Sequence, residues 1–449
     1  MLTRCLPLYL SRSILPILAL SLLLNTTTRT MAQDYPLREA VAFTPRDGLP
    51  NFFDKLERGE TVTIAYLGGS ITAQNGWRVL SREWFQEQYP DAAVKEVHAA
   101  IGGTGSTLGV FRVEQDALAG KPDLLFIEFA VNDRGTSPAN IVKGMEGIVR
   151  KAWQLDPDTD ICFVYTLTDR ESRALAEGKL NGSTSTMEAV ADHYGIPSVH
   201  LGTEVAQMEK EGTLVMKTDA PMTQVSGEEL NEAAALPTDE EGRIIFAKDG
   251  VHPYPETGHV LYLQALVRAM EAMRPAPEPH PHALPTPMRE DNWEKANLFP
   301  IPESYLSGPY VNLTAEQDKL AQRFENRMTP LYRLEPGASL NFKFTGTKLM
   351  LYDLRGPDGT WLEITLDGET TRKLNMDKYC SYHRLSILPI GDNLENTEHD
   401  VTIRVLDEPV DKGEILEGSN KQDFLANPEK YADAYWYVGA ILVVGEPTE

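Results

Sequence analysis

The chain has 449 residues, 42% of them hydrophobic, 66 acidic side chains against 42 Lys and Arg, and a formal net charge of -24. That length suits two globular domains with sizeable cores. So acidic a surface argues against nucleic acid and anionic membranes as partners, since both need basic patches.

The N-terminus reads as an export signal over residues 1–32. Arg4 and Arg12 precede an apolar run from Ile14 to Leu24, and Thr30-Met31-Ala32 follows as a small-residue cleavage pattern. The run is short for a bilayer span, and no other segment is long and apolar enough for one. With Arg4, Arg12 and Arg29 removed and no acid lost, the net charge of -24 becomes -27. The expected location is secreted or periplasmic, with no stable membrane insertion after signal removal.

Residues 40–275 form the first expected domain. Thr61 to Leu67 reads as a strand and ends in Gly68-Gly69-Ser70. Trp77 to Tyr89 has a helical apolar face. Val94–Ala99, Asp123–Ala130, Ile161–Thr166 and Ser198–Leu201 read as further strands. Helical patterns at Val113–Ala119, Asn140–Trp153, Met187–Tyr194 and Thr257–Met273 alternate with them. Such alternation implies a parallel sheet covered on both faces. Residues 205–248 interrupt it with an acidic, polar stretch, read as a lid, a substrate-binding insertion or a surface excursion.

Residues 276–303, rich in Pro and His, read as a stiff, solvated linker in which His280 and His282 are alternatively a metal pair. Residues 304–449 carry short alternating runs at Ser339–Phe344, Lys348–Tyr352, Trp361–Leu366, Asp400–Val405 and Trp436–Val444. Turn signals lie at Gly346-Thr347, Gly356 to Gly359 and Asp367-Gly368. The expectation is a β-sandwich, jelly-roll-like accessory domain. Cys162 reads as a buried strand residue and Cys380 lies far from it, with a disulfide between them left open. No CxxC metal pattern is present.

Four features carry chemistry. Gly68-Gly69-Ser70-Ile71-Thr72 follows the first strand, where glycines let the backbone turn and present a hydroxyl to the crevice. Ile101 to Ser106 is a glycine loop after the second strand, suited to bringing backbone N–H groups against an anion. Asn132 follows the third strand and has an amide able to donate to an oxyanion. Asp249-Gly250-Val251-His252-Pro253 sets a carboxylate three residues from an imidazole, the spacing for a hydrogen-bonded pair. Each alone also fits a cap, a turn or a surface residue.

In this order, GGSIT, the glycine loop, VND and DGVHP resemble blocks one, two, three and five of the SGNH (GDSL-type) hydrolase superfamily, over roughly residues 60–270. The resemblance implies a flavodoxin-like α/β/α fold and ester hydrolysis with no metal or other cofactor. It implies Ser70 as nucleophile, His252 as general base and Asp249 as its orienting carboxylate. The oxyanion hole would comprise the Ser70 and Gly103 amides, with Gly102 as fallback, and the Asn132 side chain. His98 stands where the family more often has Asn, and is read as a support for the loop. Glu128 is read as facing the site or a helix, Asp133 and Arg134 as touching substrate or forming an ion pair on the loop, and His200, His259 and Met145 as packing or surface residues. With an appended β-domain, the chain resembles secreted carbohydrate esterases. The expected substrate is an acylated carbohydrate, with acetyl ester hydrolysis through an acyl-enzyme. Alternatives are a lipase-like or aryl esterase, and a non-catalytic carbohydrate-binding protein.

Overall fold

The computed structural model describes residues 35–217, 238–274 and 277–448, besides Met1. The export segment lies outside the described residues, as does the centre of the 205–248 insertion. Among the described residues no helix is long and apolar enough to cross a membrane.

The first half begins with β1 (Phe43–Thr44), α1 (Pro50–Glu57), β2 (Thr61–Gly68), α2 (Ser70–Ala73), α3 (Trp77–Gln88) and β3 (Ala93–His98). Next come α4 (Ser106–Asp116), β4 (Leu124–Glu128), α5 (Pro138–Leu155), β5 (Asp160–Tyr165), α6 (Asp169–Ala176), α7 (Gly182–Tyr194) and β6 (Ser198–His200). It closes with α8 (Thr203–Lys210), β7 (Leu214–Lys217), β8 (Ile244–Ala247) and α9 (Gly258–Met273). Strands β2 to β6 are parallel, and β1 joins the edge antiparallel to β6. The spatial order is β1-β6-β5-β4-β2-β3. Counting only the parallel strands, this is the 2-1-3-4-5 flavodoxin-like order, with its switch point between β2 and β4.

Alternate residues of the central strands feed two cores. Leu125, Ile127, Ile161 and Phe163 pack with Met145, Ile148, Met187 and Val190 of α5 and α7. Leu124, Phe126, Cys162 and Val164 pack with Phe52, Trp77, Phe85 and Leu266 of α1, α3 and α9. Burial on both faces explains why β4 and β5 read as unbroken apolar runs. Helices α1, α6 and α8 are not foreseen from apolar periodicity. Each is eight residues long, too short to show more than two turns of a stripe.

The second half contains β9 (Ala296–Pro300), β10 (Leu306–Ser307), β11 (Tyr310–Leu313), α10 (Lys319–Phe324), β12 (Leu331–Leu334), β13 (Ser339–Arg355), β14 (Trp361–Leu366), β15 (Glu369–Leu374), β16 (Arg384–Val405) and β17 (Trp436–Thr448). They form one nine-stranded sheet, every pair antiparallel. The turn expected at Gly346-Thr347 is instead a register shift within the continuous β13. One extra residue flips the side-chain phase. Before it, Leu340, Phe342 and Phe344 face the sheet's own core, and after it Leu349 and Leu351 do. Met350, Tyr352 and Leu354 then turn to the other face. There, with Ala440 and Leu442 of β17, they join the core containing Leu108 and Phe111 of α4. Cys162 and Cys380 are separate, buried free thiols.

The Pro-rich segment stays largely exposed but is docked onto the first half at several points. Arg150 Nη1 donates to the Pro285 carbonyl at 2.8 Å, and the His193 ring meets the Thr286 carbonyl at 2.8 Å. His282 stacks on Trp153 with ring centroids 4.7 Å apart, and its Nε2 reaches buried Asp160 at 2.7 Å. A proline-rich chain leaves its carbonyls unpaired, and they find donors on α5 and α7. His282 is therefore engaged by a carboxylate inside the fold.

Because one core spans both halves, Leu442→Ala is expected to destabilise the protein by about 2–5 kcal/mol. It should also accelerate global-opening hydrogen exchange of β2 amides in the other half. Loss of protection confined to β17 would show that the halves unfold independently.

Candidate active site

The site forms at the carboxyl ends of β2, β3 and β4, where the order of the parallel strands reverses. The chain leaves β2 through Gly68 and Gly69, and Ser70 opens the one-turn helix α2. A Cβ on Gly69 would lie 2.0 Å from Asn132 Oδ1. Only glycine lets the turn before Ser70 lie against the Asn132 side chain. Asn132 itself starts the 3-10 turn Asn132–Gly135 that follows β4.

Ser70, Asp249 and His252 are brought together. Ser70 Oγ lies 2.8 Å from His252 Nε2, and His252 Nδ1 lies 2.6 Å from Asp249 Oδ2. The other Asp249 oxygen accepts the amides of Val251 at 2.9 Å and His252 at 2.8 Å. This local turn fixes the carboxylate beneath the ring. Burial pushes the Asp249 pKa up, but the His252 bond and charge, with the two amides, outweigh it and hold the carboxyl below its ordinary value. An ionised Asp249 selects the His252 tautomer with a proton on Nδ1, leaving Nε2 to accept from Ser70. Gln74 braces the two loops. Its Nε2 reaches the Pro253 carbonyl at 3.4 Å and its Oε1 meets His259 Nε2 at 3.2 Å.

Gly103 is exposed, at φ +73°, with no atom within 4 Å of the place a Cβ would occupy. This left-handed conformation suits glycine and lets the loop fold outward before α4. The loop is pinned by Asp133, whose two oxygens accept the Ser106 amide at 3.1 and 3.2 Å. Asp133 is thus buried as an anchor. It is not paired with Arg134, which reaches Glu171 at 2.7 Å. Burial lowers the His98 pKa to about 3, helped by Arg78, Arg327 and Arg112, so its imidazole is neutral. The ring hydrogen-bonds the Ala73 backbone at the end of α2, which makes it a support. His200 and His259 are buried, and burial lowers them to about 4 and about 3. Met145 is a core residue.

Glu128 holds the site from within the sheet. Its two oxygens accept the hydroxyls of Thr72 and Thr166, each at 2.9 Å, and the Gly69 amide also bonds the carboxylate. Burial raises its pKa, against those donors. Thr72, Thr166 and the buried Arg112 support this edge without any sequence signal of their own. Only the polarity of Glu128 within the apolar run LLFIEF marked such a network.

A hydroxyl, imidazole and carboxylate in this order can pass a proton from Ser70 to His252 as Ser70 attacks an acyl carbon. Residues 66–256 match the model of the GDSL-like lipase/acylhydrolase family. No curated protein matches the chain. Among solved structures, the chain is similar to a two-domain esterase active on acetylated mannans, co-crystallized with mannopentaose. The TM-score is 0.68 at 20% identity, covering 92% of this chain and 100% of that one. The structure of that esterase described without mannopentaose gives the same TM-score of 0.68. A catalytic mutant of an acetylxylan esterase from Geobacillus stearothermophilus aligns at TM-score 0.34 and 17% identity, over 46% of this chain and 94% of that one. At these identities the similarity to the two-domain esterase is one of fold, in both halves.

Burial raises the Asp133 pKa to about 6, against the opposing bonds from Ser106 and Thr136. A carboxyl whose folded pKa exceeds its unfolded value binds protons more tightly in the native state. Its contribution to stability is therefore full below about pH 4 and lost as pH rises through about 6. Asp133→Asn removes this titration. The stability of Asp133→Asn relative to wild type should rise from about pH 4 to about pH 6 and then level, by up to roughly 3 kcal/mol. Urea unfolding across this range measures it, and a flat difference would contradict the assignment.

Proposed function

We propose that the chain is a serine ester hydrolase that removes acetyl groups from polysaccharides or oligosaccharides, a reading supported by the match of residues 66–256 to the GDSL-like lipase/acylhydrolase family. The observation that carries this reading is the continuous Ser70–His252–Asp249 relay, at 2.8 and 2.6 Å, on the switch point of the sheet.

In the proposed reaction Ser70 Oγ attacks the acyl carbon while His252 Nε2 takes its proton. The imidazolium formed is stabilised by Asp249. Negative charge moves to the former carbonyl oxygen, where the Ser70 and Gly103 amides and the Asn132 side-chain amide donate. Such donors are worth more in the tetrahedral state than in the planar ester. Collapse breaks the bond to the sugar oxygen, and His252 returns the proton to that alkoxide. The acetyl group is now on Ser70. Water, deprotonated by His252, attacks it through a second tetrahedral state. Ser70 leaves and is reprotonated, and acetate is released.

The substrate class is supported by the fold shared with an esterase active on acetylated mannans. It is also supported by a net charge of -24, which disfavours polyanionic substrates and is neutral toward mannan or xylan. Location outside the cytoplasm fits polymeric substrates and rests on the N-terminal export pattern.

Acetate release from acetylated mannan, acetylated xylan and para-nitrophenyl acetate tests the reading. Wild type should act on at least one glycan without added metal, and Ser70→Ala should lose essentially all activity. Full activity in Ser70→Ala overturns the mechanism, and activity on the aryl ester alone overturns the glycan assignment. Asn132→Ala should lower kcat by about 10²–10³-fold with a smaller change in KM, as for loss of one oxyanion donor.

A further inference from the structure

We infer that Arg327, which lies in the antiparallel half of the chain, is a positioning residue for the hydrolytic site on the parallel sheet. Its guanidinium completes a buried clamp on the strand ends from which Ser70 and the glycine loop depart. The catalytic part of this inference rests on the serine hydrolase reading.

Where the parallel strands end their carbonyls have lone pairs to spare, and three such carbonyls belong to this edge: Gly68 of β2, His98 of β3 and Ala99 just beyond. Arg327 Nη2 donates to the His98 carbonyl at 2.8 Å. Arg112 of α4 donates through Nη1 to the Ala99 carbonyl and through Nη2 to the Gly68 carbonyl, the latter at 3.3 Å. Asp116 Oδ2 joins the two arginines, at 2.9 Å from Arg112 and 3.3 Å from Arg327. The side chains of Arg112 and Asp116 are 1% and 3% exposed, and that of Arg327 19%.

The clamped carbonyls lie next to the reacting groups along the chain. Gly68 is two residues from Ser70 and also accepts the Ile101 amide at 3.0 Å, which starts the glycine loop. The Ala99 amide bonds the Tyr66 carbonyl at 3.0 Å. Arg327 itself cannot drift, because Phe324 and Met328 on either side of it are sunk in the core shared with α4 and α5. Removing its guanidinium leaves the His98 carbonyl without this donor and Asp116 with one arginine instead of two. A buried acceptor stripped of its donor moves or admits water. Motion there is passed to Gly103, where a displacement of ~1 Å is enough to cost ~10²-fold in rate. An alternative role, holding the two halves together, would affect stability without touching turnover by the folded enzyme.

Arg327→Met keeps the apolar stem, and Arg327→Lys keeps the charge and one donor. With para-nitrophenyl acetate, at a temperature where circular dichroism shows each variant folded, Arg327→Met should lower kcat by about tenfold or more with KM within about twofold. Arg327→Lys should recover part of the loss. Hydrogen exchange should accelerate at the Ala99 and Ile101 amides while the β14 and β15 amides keep wild-type rates. Wild-type kcat and exchange in Arg327→Met overturn the inference. So does exchange that rises equally everywhere, which marks a purely structural tie. If Arg327→Met fails to fold, Arg327→Lys decides by the same two readouts. Absence of Ser70-dependent hydrolysis in wild type would remove the esterase reading alone, and the exchange pattern would still decide whether Arg327 fixes the loop.

Discussion

The arrangement of the site depends on a carboxyl group that has been taken out of water. Glu128 ends β4 in the middle of the parallel sheet, where a carboxyl group without hydrogen-bond partners would be costly. It is tolerated because Thr72 and Thr166 each donate a hydroxyl at 2.9 Å and the Gly69 backbone donates as well. Those donors come from the turn after β2 and the end of β5. Satisfying one carboxylate therefore fixes the ends of three neighbouring strands relative to one another. The turn that carries Ser70 is one of them, and its Gly69 rests against Asn132 with no room for a side chain. Around this point the other supports are arranged by the same rule. Asp133 takes the Ser106 amide, Gln74 spans α2 and the His252 loop, and Arg112 covers the strand-end carbonyls. Each is a buried polar group whose partner lies on a different segment of chain.

The features legible in sequence are those that local physics dictates. Unbroken apolar runs betray strands buried on both faces, and glycines mark places where backbone must turn or approach closely. Asp249 and His252, three residues apart, meet through a local turn that the sequence itself specifies. What escaped were partnerships across the chain. Glu128 was visible as a polar residue in an apolar strand, but Thr72 and Thr166, 56 and 38 residues away, were not identifiable as its donors. Adjacency suggests that Asp133 and Arg134 pair with each other, whereas each finds a partner tens of residues distant. Gly346-Thr347 looked like the turn between two strands because a turn and a bulge use the same residues. Only the partner strands decide between them, and here β16 and β17 both continue past the irregularity.

That bulge also accounts for the contact between the two halves. A regular β13 would keep the same side-chain phase throughout. The extra residue lets Leu349 and Leu351 stay in the sheet's own core while Met350, Tyr352 and Leu354 meet the helices of the other half. The docked Pro-rich segment adds polar ties to α5 and to the start of β5. Glu146 accepts the Arg289 amide at 3.1 Å, and Asp160 receives His282 at 2.7 Å. An apolar core with buried polar pairs at its margin resembles the interior of one domain more than the contact of a mobile appendage.

The histidines show why pairing alone does not define a catalytic group. Four of the nine in the chain contact an aspartate: His252 with Asp249, His282 with Asp160, His383 with Asp358 and His399 with Asp367. The distances span only 2.6 to 2.8 Å, so neither length nor partner type separates them. Their surroundings do. His282 lies flat against Trp153, and His383 packs edge-on to Tyr437. The second nitrogen of His399 is spent on the Glu395 carbonyl at 2.8 Å, an acceptor that yields no proton. Among the described residues, only His252 has a serine hydroxyl on the nitrogen opposite its aspartate. A carboxylate can orient any imidazole, but proton transfer also requires an acid on the far side of the ring. That requirement is met where two chain segments 182 residues apart converge on the switch point of the sheet.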